Sequence, residues 1–505
     1  MKKLLFVLIL GLTSSTIEAQ NLEDALRFSQ TNPTGTARFN AMGGAFGALG
    51  GDFSALSVNP AGSAVFINGQ SGVTASNVNL KNRSTYLGSQ TNENRSSFDM
   101  NQAGVVWVFK DYNSKNDWKK IAVAINYDNL NNFDNATFSA GRNQNNSIAN
   151  YFTSYANQNG GIRLGVLKNN SYDNLNFEDQ QAFLGYQGYV INPVADVSNN
   201  VEYVPNSQAG GVFDQQNTQI QTGYNGKLMF NLATQYKDFL FLGLNLNSHF
   251  TDFRNNTSFF ENNVNAINTG VKSIRFDNEV YTYGSGFSLQ LGAIVKLKDG
   301  LRAGLSYESS TWYRLNDEVV QNLVTTGFGY GNPANPNLST EQPDSNVVKV
   351  YKSYSLRTPA KYNGSLAYVF AKKGILSFDY SLKDYSNINI GLQNDSRNLN
   401  VNQQIINNLK STNEFRVGAE YKIKQVSLRG GYRFEESPFK NKSIMGDLST
   451  YSTGLGYNFG DTKVDLSYSF SQRNQQLSFF SQGFTDFANI NARNNTIALT
   501  ILFEM

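Results

Sequence analysis

The chain has 505 residues, no cysteine, one histidine and a formal net charge of +3. That balance, with no long basic run, gives nucleic acid nothing to bind. The missing cysteine excludes a disulfide framework and a cysteine lipid anchor, and one histidine cannot build a His-based metal cluster, so no metal or cofactor is expected. Hydrophobic residues make up 40% and mean hydropathy is −0.40, which fits either a secreted soluble protein or a transmembrane β-barrel with strands apolar on one face.

The first residues, MKKLLFVLILGLTSSTIEAQ, have a positive start at Lys2 and Lys3 and an apolar stretch from Leu4 to Leu12. This is a secretory signal peptide with cleavage expected after Ala19, and its apolar stretch is too short to span a membrane. Leu22–Ser29 follows as a short helix candidate. Phe39 to Phe66 is then rich in glycine: Gly43, Gly44, Gly47, Gly50 and Gly51 precede the turn Asn59-Pro60-Ala61-Gly62. Glycines permit close backbone approach, and Pro60 fixes its own φ within the turn. The segment reads as a compact plug inside something larger. Gly44, Gly47 and Gly50 do not form a nucleotide loop, because no strand precedes them and no Walker lysine follows.

Beyond residue 69 the period is two. Leu376, Phe378, Tyr380 and Leu382 alternate with Ser377, Asp379, Ser381 and Lys383; Val464, Leu466, Tyr468 and Phe470 alternate with Asp465, Ser467, Ser469 and Ser471. The pattern predicts strands near 70–81, 98–109, 118–127, 222–235, 239–250, 281–297, 301–313, 347–370, 374–385, 414–423, 426–435, 450–459, 463–472 and 494–505. The eighth should break at Pro359. Connections alternate between short (Asp111–Asp117, Tyr236–Asp238, Lys298–Gly300, Ala371–Lys373, Lys424–Gln425, Gly460–Thr462) and long (Asp128–Gln221, Thr251–Val280, Arg314–Asn346, Ser386–Asn413, Arg473–Arg493). Short turns on one side and long loops on the other mark an outer-membrane barrel. The 27 Tyr and 36 Phe suit its interface girdles, and only 9 Pro interrupt its ladders.

Alternation turns Arg302, Glu308, Arg416, Glu420, Arg429, Arg433 and Glu435 inward, away from neighbours such as Leu305, Val417 and Leu428. A charge facing lipid near the midplane costs roughly 2–4 kcal/mol for Arg or Lys. In the lumen these groups are expected to pair with one another and with the plug; direct contact with a transported molecule is the second reading. Ile148, Tyr151, Phe152 and Tyr155 share a helical face in the long loop after the third strand, with Phe259 and Phe260 in another loop. They form either a hydrophobic mouth that gathers an apolar ligand or a small core capping the barrel. His249 ends the fifth strand on its inward face, and no feature of the sequence selects a partner serine, so an enzyme is not expected.

The leader, the segment Arg38–Val65 containing MGGAFGALGGDFSALSVNPAG, the strand series and the barrel-type C-terminus resemble the FadL/TodX family of outer-membrane transporters; the stretch TPAKYNGSLAYVFAKKGILSFDYSLKDYSNI (Thr358–Ile388) resembles Bacteroidetes-like members. The resemblance implies a 14-stranded barrel, an N-terminal hatch closing the lumen, and sideways exit of hydrophobic molecules after the hatch rearranges. The family's Asn-Pro-Ala motif falls on Asn59, Pro60 and Ala61, which with Gly62 become the candidate gating residues.

The expected protein is thus all-β: a transmembrane antiparallel up-and-down barrel of about 14 strands with a hatch in its lumen, in the outer membrane of a Gram-negative bacterium. Its expected divisions are a signal peptide (1–19), a hatch (20–68) and a barrel with long extracellular loops (69–505). Its expected partners are membrane lipids and a small hydrophobic ligand, fatty-acid-like or aromatic. The long loops permit a protein partner without pointing to one. The alternatives are a docking or assembly role in secretion or surface display, and a porin for polar solutes.

Overall fold

A computed structural model describes residues 22–505 apart from 33, 114, 208–209, 331–336, 346, 371–372 and 392–396. The leader 1–19 and Lys372 of the fourth short turn lie outside the described residues.

A segment with one apolar and one polar face can sit between lipid and water as a strand, but in lipid both its edges must be paired. Among the described residues fourteen strands meet that demand. They are β1 (Gln70–Tyr86), β2 (Ser89–Lys110), β3 (Trp118–Asn132, continued by Asn135–Asn143), β4 (Phe213–Tyr236), β5 (Leu240–Asn263) and β6 (Gly270–Lys296). Next come β7 (Leu301–Glu308 and Trp312–Phe328), β8 (Tyr354–Arg357 and Lys361–Phe370), β9 (Gly374–Asp384 and Asn389–Gly391) and β10 (Ser411–Ile423). The last are β11 (Val426–Glu435), β12 (Leu448–Asn458), β13 (Thr462–Ser478) and β14 (Phe487–Glu504). Each pairs antiparallel with the next, and β14 pairs back onto β1 from Gln70↔Glu504 to Thr85↔Asn489, closing the barrel. Pro359 sits in the break of β8, where its missing N–H leaves no ladder bond to lose.

Outside, Leu246, Leu291, Leu366, Leu455 and Leu499 face lipid. Aromatic pairs frame them: Trp118 and Tyr236 near the short turns (5.1 Å between ring centroids), Tyr224 and Phe250 towards the other end (6.0 Å). Tyr236 and Tyr224 are twelve residues apart on β4, or about 30 Å of membrane depth at the usual strand rise and tilt.

Several strands continue beyond that band, correcting the expected boundaries. Most of Thr251–Val280 is not loop but the upper parts of β5 and β6, and Arg314–Phe328 belongs to β7. Above the lipid the outer face is wet, so the sequence loses its alternation although the ladder continues; Arg254 and Glu279 pair on that outer face at 2.9 Å. Phe259 and Phe260 are therefore strand residues.

Two helices lie inside the barrel: α1 (Leu22–Ser29) and α2 (Ala37–Ala41). The β3–β4 connection carries α3 (Ala149–Asn157), α4 (Leu164–Asn169) and α5 (Phe177–Gln187), and the β9–β10 connection carries α6 (Arg397–Asn408). Helices α3 to α5 pack through Phe152, Leu164, Leu167 and Leu184 onto Phe259, Phe276 and Leu323 of the raised strands, forming an external cap with its own core. Glu261 of β5 fixes the cap by accepting from Ile148 N (2.9 Å), Gln215 Nε2 (2.7 Å) and the Ser147 hydroxyl.

Candidate functional site

The lumen is filled from below by residues 36–66. Thr36 caps α2, accepting from Phe39 N at 3.1 Å, and gives its own hydroxyl proton to Asp52 at 2.8 Å. Asp52 also accepts from Ser54 N at 2.9 Å. Burial pushes the Asp52 carboxyl above the usual carboxylate range, against the pull of Arg38 and these hydrogen bonds.

Wall side chains meet the plug's main chain on many strands. Asp379 of β9 accepts from Phe46 N (3.1 Å) and Gly47 N (3.0 Å); Arg302 of β7 donates to Leu49 O (2.9 Å). Asn245 of β5 donates to Leu56 O (2.9 Å), and Gln290 of β6 to Val58 O (3.1 Å). Wall glycines let the chains touch. A Cβ on Gly292 would lie 2.0 Å from Asn59 Oδ1, and one on Gly304 would lie 2.3 Å from Gly47 O.

Of the candidate gating residues, Asn59 is fully buried. Its Oδ1 accepts from Ala61 N (3.2 Å), while its Nδ2 donates to Gly47 O (2.7 Å) and reaches Ala293 O of β6 (3.0 Å). Pro60 opens a short 3-10 helix, Pro60–Val65, and its carbonyl accepts from Asn231 Nδ2 of β4 at 2.9 Å. Ala61 is fully buried against Phe241 and Ile294, and Gly62 O accepts from Gly51 N at 3.0 Å.

The inward charges form two linked groups. Glu420 is shared by Arg38 of the plug (2.8 Å) and Arg429 (2.6 Å), and Arg429 continues to Asp465 (2.6 Å). Glu414, which the sequence reading passed over, takes Arg416 (2.6 Å) and Arg433 (2.5 Å), and Arg433 also holds Glu435 (2.5 Å). Glu308 lies 3.5 Å from the buried Lys227. Buried charges persist when paired in this way. Asn245, Gln290, Asp379 and Glu414 were all visible as inward-parity residues, but nothing local marks a side chain that will meet the plug.

Of the candidate mouth residues, Ile148, Tyr151, Phe152, Tyr155 and Phe259 share the buried core of the external cap. Phe260 is on the opposite, outer face of β5 and is 37% exposed, because neighbouring strand residues point to opposite faces. His249 Nε2 is 2.9 Å from Ser288 Oγ, a serine the sequence did not select. Both are buried, and His249 Nδ1 has no hydrogen-bond partner among the described residues, so no third group orients the ring as a triad requires.

Among the described residues the β2–β3 ladder is interrupted. β2 and β3 pair only from Lys110↔Lys120 to Gln102↔Asp128. Above that level β2 pairs with β1 and β3 with β4. Side chains close the seam: Asn132 Nδ2 donates to Ser97 Oγ (2.9 Å), and Arg95 lies 3.9 Å from Asp134. From inside, Gln30 and Asn32, just after α1, bind this part of β3. Asn32 N donates to Leu130 O (2.9 Å), and Asn131 Nδ2 donates to Gln30 O (2.6 Å). Cavities border that stretch, among them one of about 80 Å³ beside Phe28, Tyr313 and Lys227, one of about 300 Å³ along β1 and β12–β14, and one of about 190 Å³ beside Asn131 and Arg473.

A closed fourteen-stranded barrel with a lipid-facing belt and a lumen stoppered by its own N-terminal segment defines a plugged outer-membrane transport barrel. A family profile described as outer membrane protein transport protein (OMPP1/FadL/TodX) matches residues 188–496, more than half of the chain. The chain belongs to that family, and its place is the outer membrane of a Gram-negative bacterium. A search of curated proteins by sequence finds no match. Among solved structures, the fold is similar to a FadL homologue of Pseudomonas aeruginosa, with 13% identity and a TM-score of 0.53, covering 94% of this chain and 99% of that one. It is also similar to the toluene transporter TodX of P. putida, with 13% identity and a TM-score of 0.51, again covering 94% and 99%.

Proposed function

We propose that this barrel carries small hydrophobic molecules, fatty-acid-like or aromatic, across the outer surface and releases them sideways into the membrane. The observation that carries the reading is the combination of a sealed floor with an interrupted β2–β3 ladder. A molecule entering the lumen meets a plug braced on many strands, whereas the seam above Gln102 is held by a few side chains. A polar solute gains nothing from an exit into lipid, so the porin alternative fits poorly. Family membership and the apolar cargo named for the toluene transporter support the same choice.

The hatch comprises residues 20–68 of a mature chain starting near Gln20, and residues 69–505 form the wall and loops. In this reading Asn59, Pro60, Ala61 and Gly62 keep the floor shut, and the paired lumen charges hold its shape. Transport needs no chemistry, and no catalytic role is assigned to any residue. The test is uptake of a radiolabelled apolar compound and of a labelled sugar by cells with and without the gene. Loss of apolar uptake alone supports the proposal; unchanged apolar uptake with lost sugar uptake overturns it.

A further inference from the structure

Above the lipid belt, cations on the outer faces of β5 and β6 are matched by the protein's own carboxylates. Arg254 pairs with Glu279 at 2.9 Å and Arg275 with Asp277 at 3.0 Å. The outer face of β13, β14, β1 and β2 is built differently. At the top of its lipid belt, Tyr468, Ile497, Asn77 and Phe98 stand in register across the four strands, with Ile497 and Phe98 exposed. Neighbours on one face of a strand are two residues apart. Two rows higher, the same register sets Gln472, Arg493, Lys81 and Asn94 side by side. The next row holds Asn474, Asn491, Arg83 and Asn92.

Lys81, Arg83 and Arg493 are exposed, and among the described residues none of them forms an ion pair. Lys81 lies directly opposite Arg493 in the ladder. Like charges in that position repel, and neither row contains a carboxylate to relieve them. Arg493 Nε donates to Asn491 Oδ1 at 3.0 Å, which uses one of the five guanidinium N–H donors. Asn491 Nδ2 donates onward to Asn474 Oδ1 at 2.5 Å. The patch is therefore cationic, rich in neutral amides and short of an anion.

Its height selects the anion. Lys81 and Arg493 stand four residues above Asn77 and Ile497, on the order of 10 Å along the membrane normal at the usual strand rise and tilt. Hydrocarbon gives way to outer-leaflet head groups in that interval, so an anion held there belongs to a lipid. The surrounding Asn and Gln side chains both donate and accept, which suits sugar hydroxyls.

We propose that the outer face of β13–β14–β1–β2 is a docking surface for a phosphorylated glycolipid of the outer leaflet. Lys81, Arg83 and Arg493 hold its phosphate, the neighbouring amides bond its sugar, and Ile497 and Phe98 lie against its acyl chains. The phosphate relieves the repulsion between Lys81 and Arg493, which makes the lipid a component of the folded wall. The surface lies outside the lumen, so the proposal stands independently of the transport reading.

The test is native mass spectrometry of the full-length barrel titrated with bisphosphorylated lipid A and with the same lipid A after enzymatic dephosphorylation. The unaltered protein should bind the phosphorylated form about tenfold more tightly, because hydrogen bonds between charged groups are the strong ones. Lys81→Gln, Arg83→Gln and Arg493→Gln together should abolish that preference. Arg254→Gln with Arg275→Gln should keep it. If the triple variant fails to insert, Arg493→Gln alone should reduce the preference. Thermal unfolding supplies a second reading. In lipid-free detergent Arg493→Gln should melt no lower than the unaltered protein, since it removes a repulsion, while phosphorylated lipid A should stabilise the unaltered protein more. Equal binding of the two lipids by the unaltered protein, or a preference that survives the triple variant, overturns the site. Stabilisation by inorganic phosphate as large as that by lipid A overturns the assignment to a lipid.

Discussion

Replacing Asn59 separates two roles that a plug turn can have. If Asn59 only caps the turn, its acceptor oxygen on Ala61 N is what matters, and aspartate, an equally good cap, should serve. If it braces plug against wall, the donor matters, because Nδ2 holds Gly47 O and Ala293 O. Asn59→Ala strands two buried groups, Gly47 O and Ala61 N, at about 1–3 kcal/mol each. A central value of about 3 kcal/mol lowers plug protection roughly a hundredfold. Asn59→Asp should cost at least as much, since it sets a carboxylate against carbonyl oxygens. The natural reporters are the amides of Phe46 and Gly47, bound to Asp379. Hydrogen exchange read by mass spectrometry should show both substitutions releasing residues 44–62 while β-strand amides stay protected. Full protection in Asn59→Asp would refute the brace.

The Arg38–Glu420–Arg429 group predicts a steep loss in Glu420→Ala, which strips Arg38 of its carboxylate and leaves Arg429 with Asp465 alone, at a cost of about 3–5 kcal/mol; Glu420→Gln should cost less, and heat-modified gel mobility reads both. Asp52 predicts a pH dependence. Its pKa is raised when the plug is docked, so docking is strongest below the ordinary carboxylate range and weakens as pH rises through the raised value. Channel-opening events in planar bilayers should become more frequent across that rise, and Asp52→Asn should flatten the profile.

Much of the barrel was legible because lipid imposes a strict rule. Wherever both lipid and water touch a strand, residues such as Leu376 and Ser377 must alternate, and the short turns punctuate the result. The rule lapses above the membrane, so Asn255–Asn263 read as loop although it is strand. The glycine-rich plug and its turn were legible as a unit, but their contacts were not. Asp379 and Gln290 look like any other inward residue until the barrel closes around the plug. The placement of α1 was hidden for the same reason: its apolar face is visible in Leu22–Ser29, but its aromatic neighbours come from loops and strands scattered from Phe133 to Phe439.

The central claim is that an apolar molecule leaves through the β2–β3 seam. Ser97 Oγ and Asn132 Nδ2 lie 2.9 Å apart across it, so Ser97→Cys with Asn132→Cys, joined by a short reducible bifunctional thiol reagent, can lock the seam in a chain that has no other cysteine. Uptake of a labelled apolar compound by cells carrying the cross-linked pair should fall to the level of cells without the protein and return on reduction. Undiminished uptake through the locked barrel would contradict the account.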